Sequence, residues 1–233
     1  MNKTTVEIKE GIKTHFIKTD IYKTDLTCII ITTPLKRDTV TKNALIPFFL
    51  RQGTKKYPSQ SLLNKKMEDM YGASFNCGID KMGDNVVLKF YIESISNEYA
   101  LNNEDVLREN IESLLDIVFD PVQNGDLLNE EILELEKENL KKVINRKIDD
   151  KDSYALDACI SKMYGEEKFG LYKFGYIEDV DSITINEISE YYNWLIQNSK
   201  IDLFISGNIN QDEITEYLKE NDNIKKLKPR TES

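Results

Sequence analysis

The pattern of apolar and polar positions along the chain predicts five β-strands. Residues 26–33 form a nearly continuous apolar run that Pro34 ends, which favours a strand buried on both faces. Two further segments flank the turn residues 83–85 (Gly-Asp-Asn), a combination typical of a β-hairpin. The predicted strands cover residues 11–20, 26–33, 74–82, 86–94 and 201–206.

Apolar residues at helical spacing predict helices between these strands. Ser59 is placed to cap a helix whose buried face would carry Leu62, Leu63, Met67 and Met70. Thr184 and Glu187 form a capping box, and Asn210 and Glu213 have the same spacing. The predicted helices cover residues 44–50, 59–71, 103–119, 129–149, 153–163, 184–195 and 210–218.

These elements do not alternate regularly as strand and helix, and they include a hairpin. This order favours an α+β fold, with one mixed or antiparallel sheet covered by helices. No Pro-, Gly- or Ser-rich linker divides the chain, so residues 1–220 are expected to form one domain. Residues 221–233 are polar and lysine-rich, and we expect a polar tail or a linker to a missing second half.

Composition narrows the classes of partner. The formal net charge of -10 argues against nucleic acid and anionic membranes, which both select a basic surface. No stretch approaches the length of a membrane span, and residues 1–7 lack the apolar core of a signal peptide. Three widely spaced cysteines, Cys28, Cys77 and Cys159, suggest reduced thiols. We therefore expect a cytoplasmic location.

The segment around which the chain is organised covers residues 44–54, ALIPFFLRQGT. An apolar run followed by Gly53 predicts a buried helix and its C-terminal cap. Pro47 lacks an amide donor, so this helix should be short or hold Pro47 in its first turns. The segment resembles the zinc-binding helix of the insulinase and mitochondrial-processing-peptidase family, which carries H-x-x-E-H and ends in the same Gly-Thr pair.

The chemical positions of that helix are blank in this chain. Aligning Gly53 and Thr54 with the family's pair puts Ala44 and Phe48 at the two histidines and Pro47 at the glutamate. The resemblance also implies Lys147 at the position of the third zinc ligand, and a charged lysine does not bind zinc. The chain holds one histidine, His15, so it cannot form a two-histidine zinc site. We expect a pseudo-peptidase with no metal and no cofactor.

Further strings extend the resemblance over roughly residues 11–218: 33–35, 50–58, 70–73, 136–140 and 202–208. They are most similar to a non-catalytic branch of the family, the one associated with the 5-aminopentanol modification of elongation factor P. Members are usually about twice this length, so the resemblance implies an N-terminal half. It also implies pairing with a homologous catalytic subunit and a setting in elongation factor P maturation.

In the family, substrate adds as a strand beside the sheet edge that follows the second helix. Asn76, Cys77 and Gly78 match that edge, where main-chain hydrogen bonding to an extended peptide or protein substrate would need no metal. The simpler alternative is a hairpin strand that is short or covered. Two other functional classes stay open: a stand-alone peptide-binding or scaffold module, and an enzyme with unrelated chemistry.

Other groups favour ordinary structural roles. His15 has no partner at ligand spacing and is expected to be a satisfied strand histidine. A run of acidic residues has lysines nearby at helical spacing, which indicates a solvated helix face with i,i+4 pairs: Glu130, Glu131, Glu134, Glu136 and Glu138, with Lys137, Lys141 and Lys142. Five aromatic residues in a glycine-containing segment are expected to pack in the core or an interface: Tyr164, Phe169, Tyr172, Phe174 and Tyr176.

Overall fold

A computed structural model describes residues 2–165 and 167–227 of the chain. Its framework is a six-stranded sheet built from β1 (Asn2–Lys9), β2 (Ile12–Lys18), β3 (Thr24–Pro34), β4 (Ser74–Met82), β5 (Asn85–Ile95) and, late in the chain, β8 (Lys200–Gly207). A small hairpin of β6 (Gln123–Asn124) and β7 (Leu127–Leu128) lies apart from this sheet. The helices are α1 (Val40–Leu50), α2 (Gln60–Asp69), α3 (Val106–Phe119), α4 (Glu130–Asn145), α5 (Lys151–Tyr164), α6 (Ile177–Val180), α7 (Ile185–Asn198), α8 (Gln211–Glu220) and α9 (Asp222–Lys226).

The sheet has the strand order β1-β2-β8-β3-β5-β4 and is mixed. β2 and β8 run parallel, while the other neighbouring pairs are antiparallel. The β4–β5 hairpin turns at Gly83 and Asp84, since Met82 pairs directly with Asn85. The predicted α+β class, with one mixed sheet covered by helices, is confirmed.

Only one face of β3, a central strand of the sheet, is fully buried. Ile29 and Ile31 are inaccessible to solvent, whereas Cys28 and Ile30, which alternate with them along the strand, are half-buried. The prediction that this strand is buried on both faces is therefore wrong. Its apolar residues continue onto the partly open face of the sheet, where Leu26 is 37% exposed, so the sequence shows a run instead of an alternation.

Residues 2–9 form an edge strand that the sequence did not indicate. Most of its side chains are polar and exposed, and only Val6 and Ile8 pack against the core. The strand pairs with β2 through a tight connection in which Gly11 adopts a φ of 77°. An edge strand with only two partly buried apolar residues carries little apolar periodicity, which is why the sequence pattern did not reveal it.

Helix α1 is buried on nearly all sides between the sheet and the later helices. It begins at Val40, four residues before the predicted start, so Pro47 lies in its third turn and not in the first turns. Ala44, Leu45 and Leu50 are at most 1% exposed. The helix ends at Leu50, where the Arg51 amide donates to the Pro47 carbonyl at 3.3 Å and the Gln52 amide donates to the Phe49 carbonyl at 3.0 Å.

Local signals in the other helices gave mixed results. Ser59 caps α2, and the Thr184–Glu187 capping box of α7 is fully formed. Leu62 is 46% exposed, however, so it does not share the buried face of Leu63. Asn210 makes no cap hydrogen bond to α8, because its amide bonds the Glu213 carboxylate instead.

The segment expected to be a tail is folded as far as Leu227. Asn221 caps α9, and both Ile224 and Leu227 join the main core with exposures of 2% and 3%. The polar-tail prediction is thus wrong for residues 221–227, since lysines on one side of α9 mask two apolar anchors on the other. Residues 228–233 lie outside the described part.

Candidate functional site

Strand β4 lies at one edge of the sheet. It pairs with β5 from Ser74 opposite Glu93 to Met82 opposite Asn85. No described strand pairs with its other side. Main-chain donors and acceptors along that side are therefore available for an added strand. The predicted peptide-binding residues Asn76, Cys77 and Gly78 all lie in the first half of this strand.

A groove of about 500 Å³ runs beside this half of β4. One wall is α2, which contributes the carboxamide of Asn64 and the side chain of Met67. The other wall includes Phe75, Asn76 and Cys77, with Arg51 also lining the groove. The edge and the groove together form a slot long enough for several residues of extended chain, each of which spans about 3.3 Å.

A later segment of the chain contacts the second half of β4 at Asp80 and Lys81, whereas Met82 at its end is 66% exposed. Asp80 and Lys81 are neighbours in a strand, so their side chains point to opposite faces of the sheet. Both nevertheless contact residues 169–173: Asp80 accepts a hydrogen bond from Lys173 at 2.9 Å, and Lys81 Nζ donates to the carbonyls of Phe169 and Leu171 at 2.9 and 2.8 Å. This segment, the edge strap (residues 168–173), therefore crosses the edge there and leaves residues 74–78 open.

The positions that match the zinc motif hold no ligand chemistry. Ala44 is fully buried, and Pro47 is buried as well. Phe48 is half-buried, and its ring lies 4.8 Å from the Arg51 guanidinium carbon. The carbonyl of Pro47 accepts a hydrogen bond from the thiol of Cys77 at 3.3 Å, which ties α1 to the edge strand. No group of three or more potential ligands in the described residues is arranged to hold a metal ion.

Lys147 lies in a short 3₁₀ helix, Arg146–Ile148, that follows α4. Its ammonium pairs with Asp157 at 3.3 Å and lies 3.7 Å from the ring centre of Tyr172. These contacts place it next to α5 and the edge strap. Its assignment to the third-ligand position stays a prediction.

A buried carboxylate lies behind the groove, and the sequence did not indicate it. Glu136 on α4 is inaccessible to solvent and accepts hydrogen bonds from Gln52 and, at 3.1 Å, from Asn139. Arg51 Nη2 approaches the same carboxylate at 3.4 Å. The prediction of a solvated charged face is wrong for Glu136. Its spacing of three from Leu133 and four from Leu140, both buried, was the available signal.

The thiol of Cys77 is not activated as a nucleophile. Burial raises the pKa of Cys77 to about 11, so the thiol is neutral at physiological pH and is a poor nucleophile. His15, at the far side of the sheet, bonds Asp202 at 2.8 Å and Thr5 at 3.0 Å and stacks on Phe204. As expected for a structural histidine, its ring atoms are satisfied.

The chain resembles known proteins along almost its whole length, although no family model matches it. It is 31% identical over 204 residues to the probable inactive metalloprotease YmfF of Bacillus subtilis (strain 168), covering 88% of this chain and 48% of that protein.

Solved structures share its fold. A conserved protein from Enterococcus faecalis V583 superposes with a TM-score of 0.89 at 26% identity, over 99% of this chain and 53% of that one. A peptidase M16 inactive domain from Pseudomonas fluorescens gives a TM-score of 0.73 at 15% identity, over 97% of this chain and 51% of that one. The chain thus spans about half the length of these relatives. None of its described helices is long and apolar enough to cross a membrane.

Proposed function

The chain belongs to the M16-like peptidase family, in its non-catalytic group, and from this premise we propose that it binds an extended peptide or protein segment along the open half of β4. It would act as the silent subunit of a processing assembly, beside a homologue that carries the complete H-x-x-E-H motif. The substrate would be held by this chain while any cleavage takes place on the partner.

The observation that carries this proposal is the open edge of β4 beside a groove of about 500 Å³. Strand addition uses main-chain hydrogen bonds and side-chain pockets, neither of which requires a metal. Loss of histidine and glutamate from α1 therefore removes the hydrolytic chemistry and leaves the binding geometry intact. The edge strap confines an added strand to residues 74–78.

The proposed partner rests on size and on exposed surface. Relatives of this chain are about twice as long, so a second unit of similar fold is the natural complement. Helix α5 exposes Leu156 and Met163, whose exposed fractions are 62% and 72%. They are seven residues apart, about two turns, and so lie on the same face of the helix. Apolar side chains in this position are suited to an interface. The resemblance to the elongation factor P branch makes maturation of that factor the proposed setting.

Backbone pairing is tested with N-methylated peptides. For any extended peptide that binds in fluorescence polarisation, methylating alternate amides in one register removes donors that face β4, whereas the other register faces away. We expect at least about a ten-fold loss of affinity in one register only, because each lost hydrogen bond costs around 1 kcal/mol. Equal effects in both registers, or no binding by any peptide, would contradict strand addition.

Partnering is tested by mixing the chain with the homologue that holds H-x-x-E-H and measuring mass by light scattering. A one-to-one complex that cleaves peptide, where the isolated chain does not, is the expected result. Absence of a complex would favour the stand-alone binding module. One equivalent of zinc in the purified chain, together with peptide hydrolysis, would instead favour an enzyme in its own right.

A further inference from the structure

We propose that the groove beside β4 selects a peptide bearing one carboxylate, which pairs with the guanidinium of Arg51. This inference rests on the proposed peptide binding and adds the chemical class of the occupant. The carboxylate is either an Asp or Glu side chain of a bound strand or the C-terminal group of a chain that ends in the groove.

The hydrogen-bonding capacity of Arg51 is largely unused within the described structure. Its Nε is buried and has no hydrogen-bond partner there. Its described side-chain hydrogen bond, from Nη2 to Glu136, is long at 3.4 Å. A buried donor without an acceptor is unfavourable, so the site gains if the Arg51 side chain turns this N–H toward an acceptor that enters from solvent.

Glu136 does not need Arg51 to satisfy its carboxylate. Gln52 and Asn139 already donate to its two oxygens. Arg51 can therefore present its remaining N–H groups to the groove while its charge stays paired with Glu136. A carboxylate fits this fork with two parallel hydrogen bonds, which a lone carbonyl oxygen does not.

Among the described residues that line the groove, the charges favour an anion next to Arg51. Arg51 is the single cation among the described residues that line it, and the ring of Phe48 lies against its guanidinium. Cys77 contributes a neutral thiol, because burial raises its pKa to about 11. Glu68 lines the α2 wall and would repel a second acidic residue.

The charge of the whole chain also limits how many acidic residues the bound peptide can carry. A net charge of -10 disfavours approach of a polyacidic segment at low salt. The occupant is therefore a segment with a single carboxylate among uncharged or basic residues. Carboxamides of Gln60, Asn64 and Asn76 around the groove supply neutral hydrogen-bonding groups for the rest of that segment.

The test uses labelled ten-residue peptides of fixed Val/Thr/Ser sequence with acetylated and amidated ends. One Glu is placed at each position in turn and compared with Gln at the same position. A parallel peptide has a free C-terminal carboxylate and no Glu. We expect one Glu position, or the free C-terminus, to bind at least about ten-fold more tightly than its neutral match, since a charged hydrogen bond contributes roughly 1.5–3 kcal/mol.

The matched protein variants are Arg51→Gln, Arg51→Lys and, as a control, Arg108→Gln. Arg108 is exposed on α3 and lines no part of this groove. The Glu-over-Gln preference should vanish in R51Q, fall but persist in R51K, and be unchanged in R108Q. The comparison of Glu with Gln peptides is made on the wild-type chain. It therefore still tests the carboxylate site if R51Q does not fold.

Two results would overturn the inference in distinguishable ways. If peptides bind the wild-type chain equally well with Glu and Gln at every position and with either C-terminus, the groove has no carboxylate site while peptide binding stands. If none of the peptides binds at all, the inference fails together with the proposed function.

Discussion

The ionised carboxylate of Asp116, on α3, destabilises the folded protein. Burial raises its pKa to about 6, and the neighbouring charge of Glu112 adds to this, against smaller opposing effects of Lys56 and the Asn223 amide. An acid whose folded-state pKa is raised holds its proton more tightly when folded. Its contribution therefore favours folding at pH values below about 4 and is lost as the pH rises from about 4 to 6.

Replacing this group by Asp116→Asn should raise the melting temperature at pH 7.5. The expected gain is about 1 kcal/mol after allowance for solvent screening, or a few degrees for a chain of this size. The gain should disappear at pH 4, where both forms are neutral when folded. Thermal melts at the two pH values measure it, with the exposed Glu216→Gln on α8 as the control. Equal gains at both pH values would show that the ionisation of Asp116 is not the cause.

Gly53 has a structural task that is independent of any metal. Its φ is 150°, and a Cβ at this position would lie 2.6 Å from the Tyr57 carbonyl oxygen and 2.9 Å from the Ser59 nitrogen. The following Thr54 closes the same loop, since its amide donates to Tyr57 O and its hydroxyl accepts from Tyr57 N, both at 2.9 Å. This explains how the Gly-Thr pair persists in a chain that lacks the zinc ligands.

We expect Gly53→Ala to cost about 2 kcal/mol or more in the free energy of unfolding, because the clash is with backbone on both sides. Urea denaturation measures the loss. Gly78→Ala on β4 is the matched control, as no heavy atom lies within 4 Å of its added Cβ. Similar stabilities of the two variants would refute the close approach at Gly53.

At the scale of elements, two main-chain acceptors of the edge strap contribute to holding it on the sheet, beside the Lys173–Asp80 ion pair. Lys81 Nζ bonds two of its carbonyls, and desolvation lowers the pKa of that lysine. Lys81→Met keeps the length of the side chain and removes both bonds. We expect hydrogen exchange of amides in residues 168–173 to accelerate at least about five-fold, as two hydrogen bonds of roughly 1 kcal/mol each are lost.

Lys89→Met provides the control for that experiment. Lys89 pairs with Asp80 at 2.8 Å from the adjacent strand and makes none of the described contacts with the strap. Exchange in residues 168–173 should therefore change little in this variant. Unchanged exchange in both variants would mean that the strap is anchored by Leu171 and by the adjoining Phe174 and Tyr176, which pack against the core.

Elements with a one-sided apolar pattern could be predicted from the sequence, and those without one could not. The hairpin of β4 and β5 follows from alternation and a turn, and α7 from its capping box. Strand β1 and the segment of α9 each place only two apolar residues against the core, so neither shows a periodic apolar pattern in the sequence. The candidate site shows the same division, since Asn76 and Cys77 could be named from the resemblance. The burial of Glu136 has a local signal in its spacing from buried leucines, but its contact with Arg51 joins residues far apart in sequence and has none.

At the scale of the whole molecule, α8 and α9 return to the first strand and to α3. The carbonyl of Ile224 accepts a hydrogen bond from Lys9 Nζ at 3.4 Å, and Asn223 donates to Asp116 at 3.1 Å. Residues more than two hundred positions apart thus share one core.

Ile224→Ala should therefore destabilise the entire domain. Removing a buried isoleucine side chain that is 2% exposed typically costs about 2–4 kcal/mol, because a cavity is left in addition to the lost burial. Calorimetry should show one transition with its midpoint lowered by several degrees, since each kcal/mol shifts the midpoint of such a chain by about 2–4 °C. Lys226→Ala, on the exposed side of the same helix, should have little effect. If the two variants melt at the same temperature, residues 221–227 contribute nothing to the core, and the polar tail that the sequence predicts would be correct.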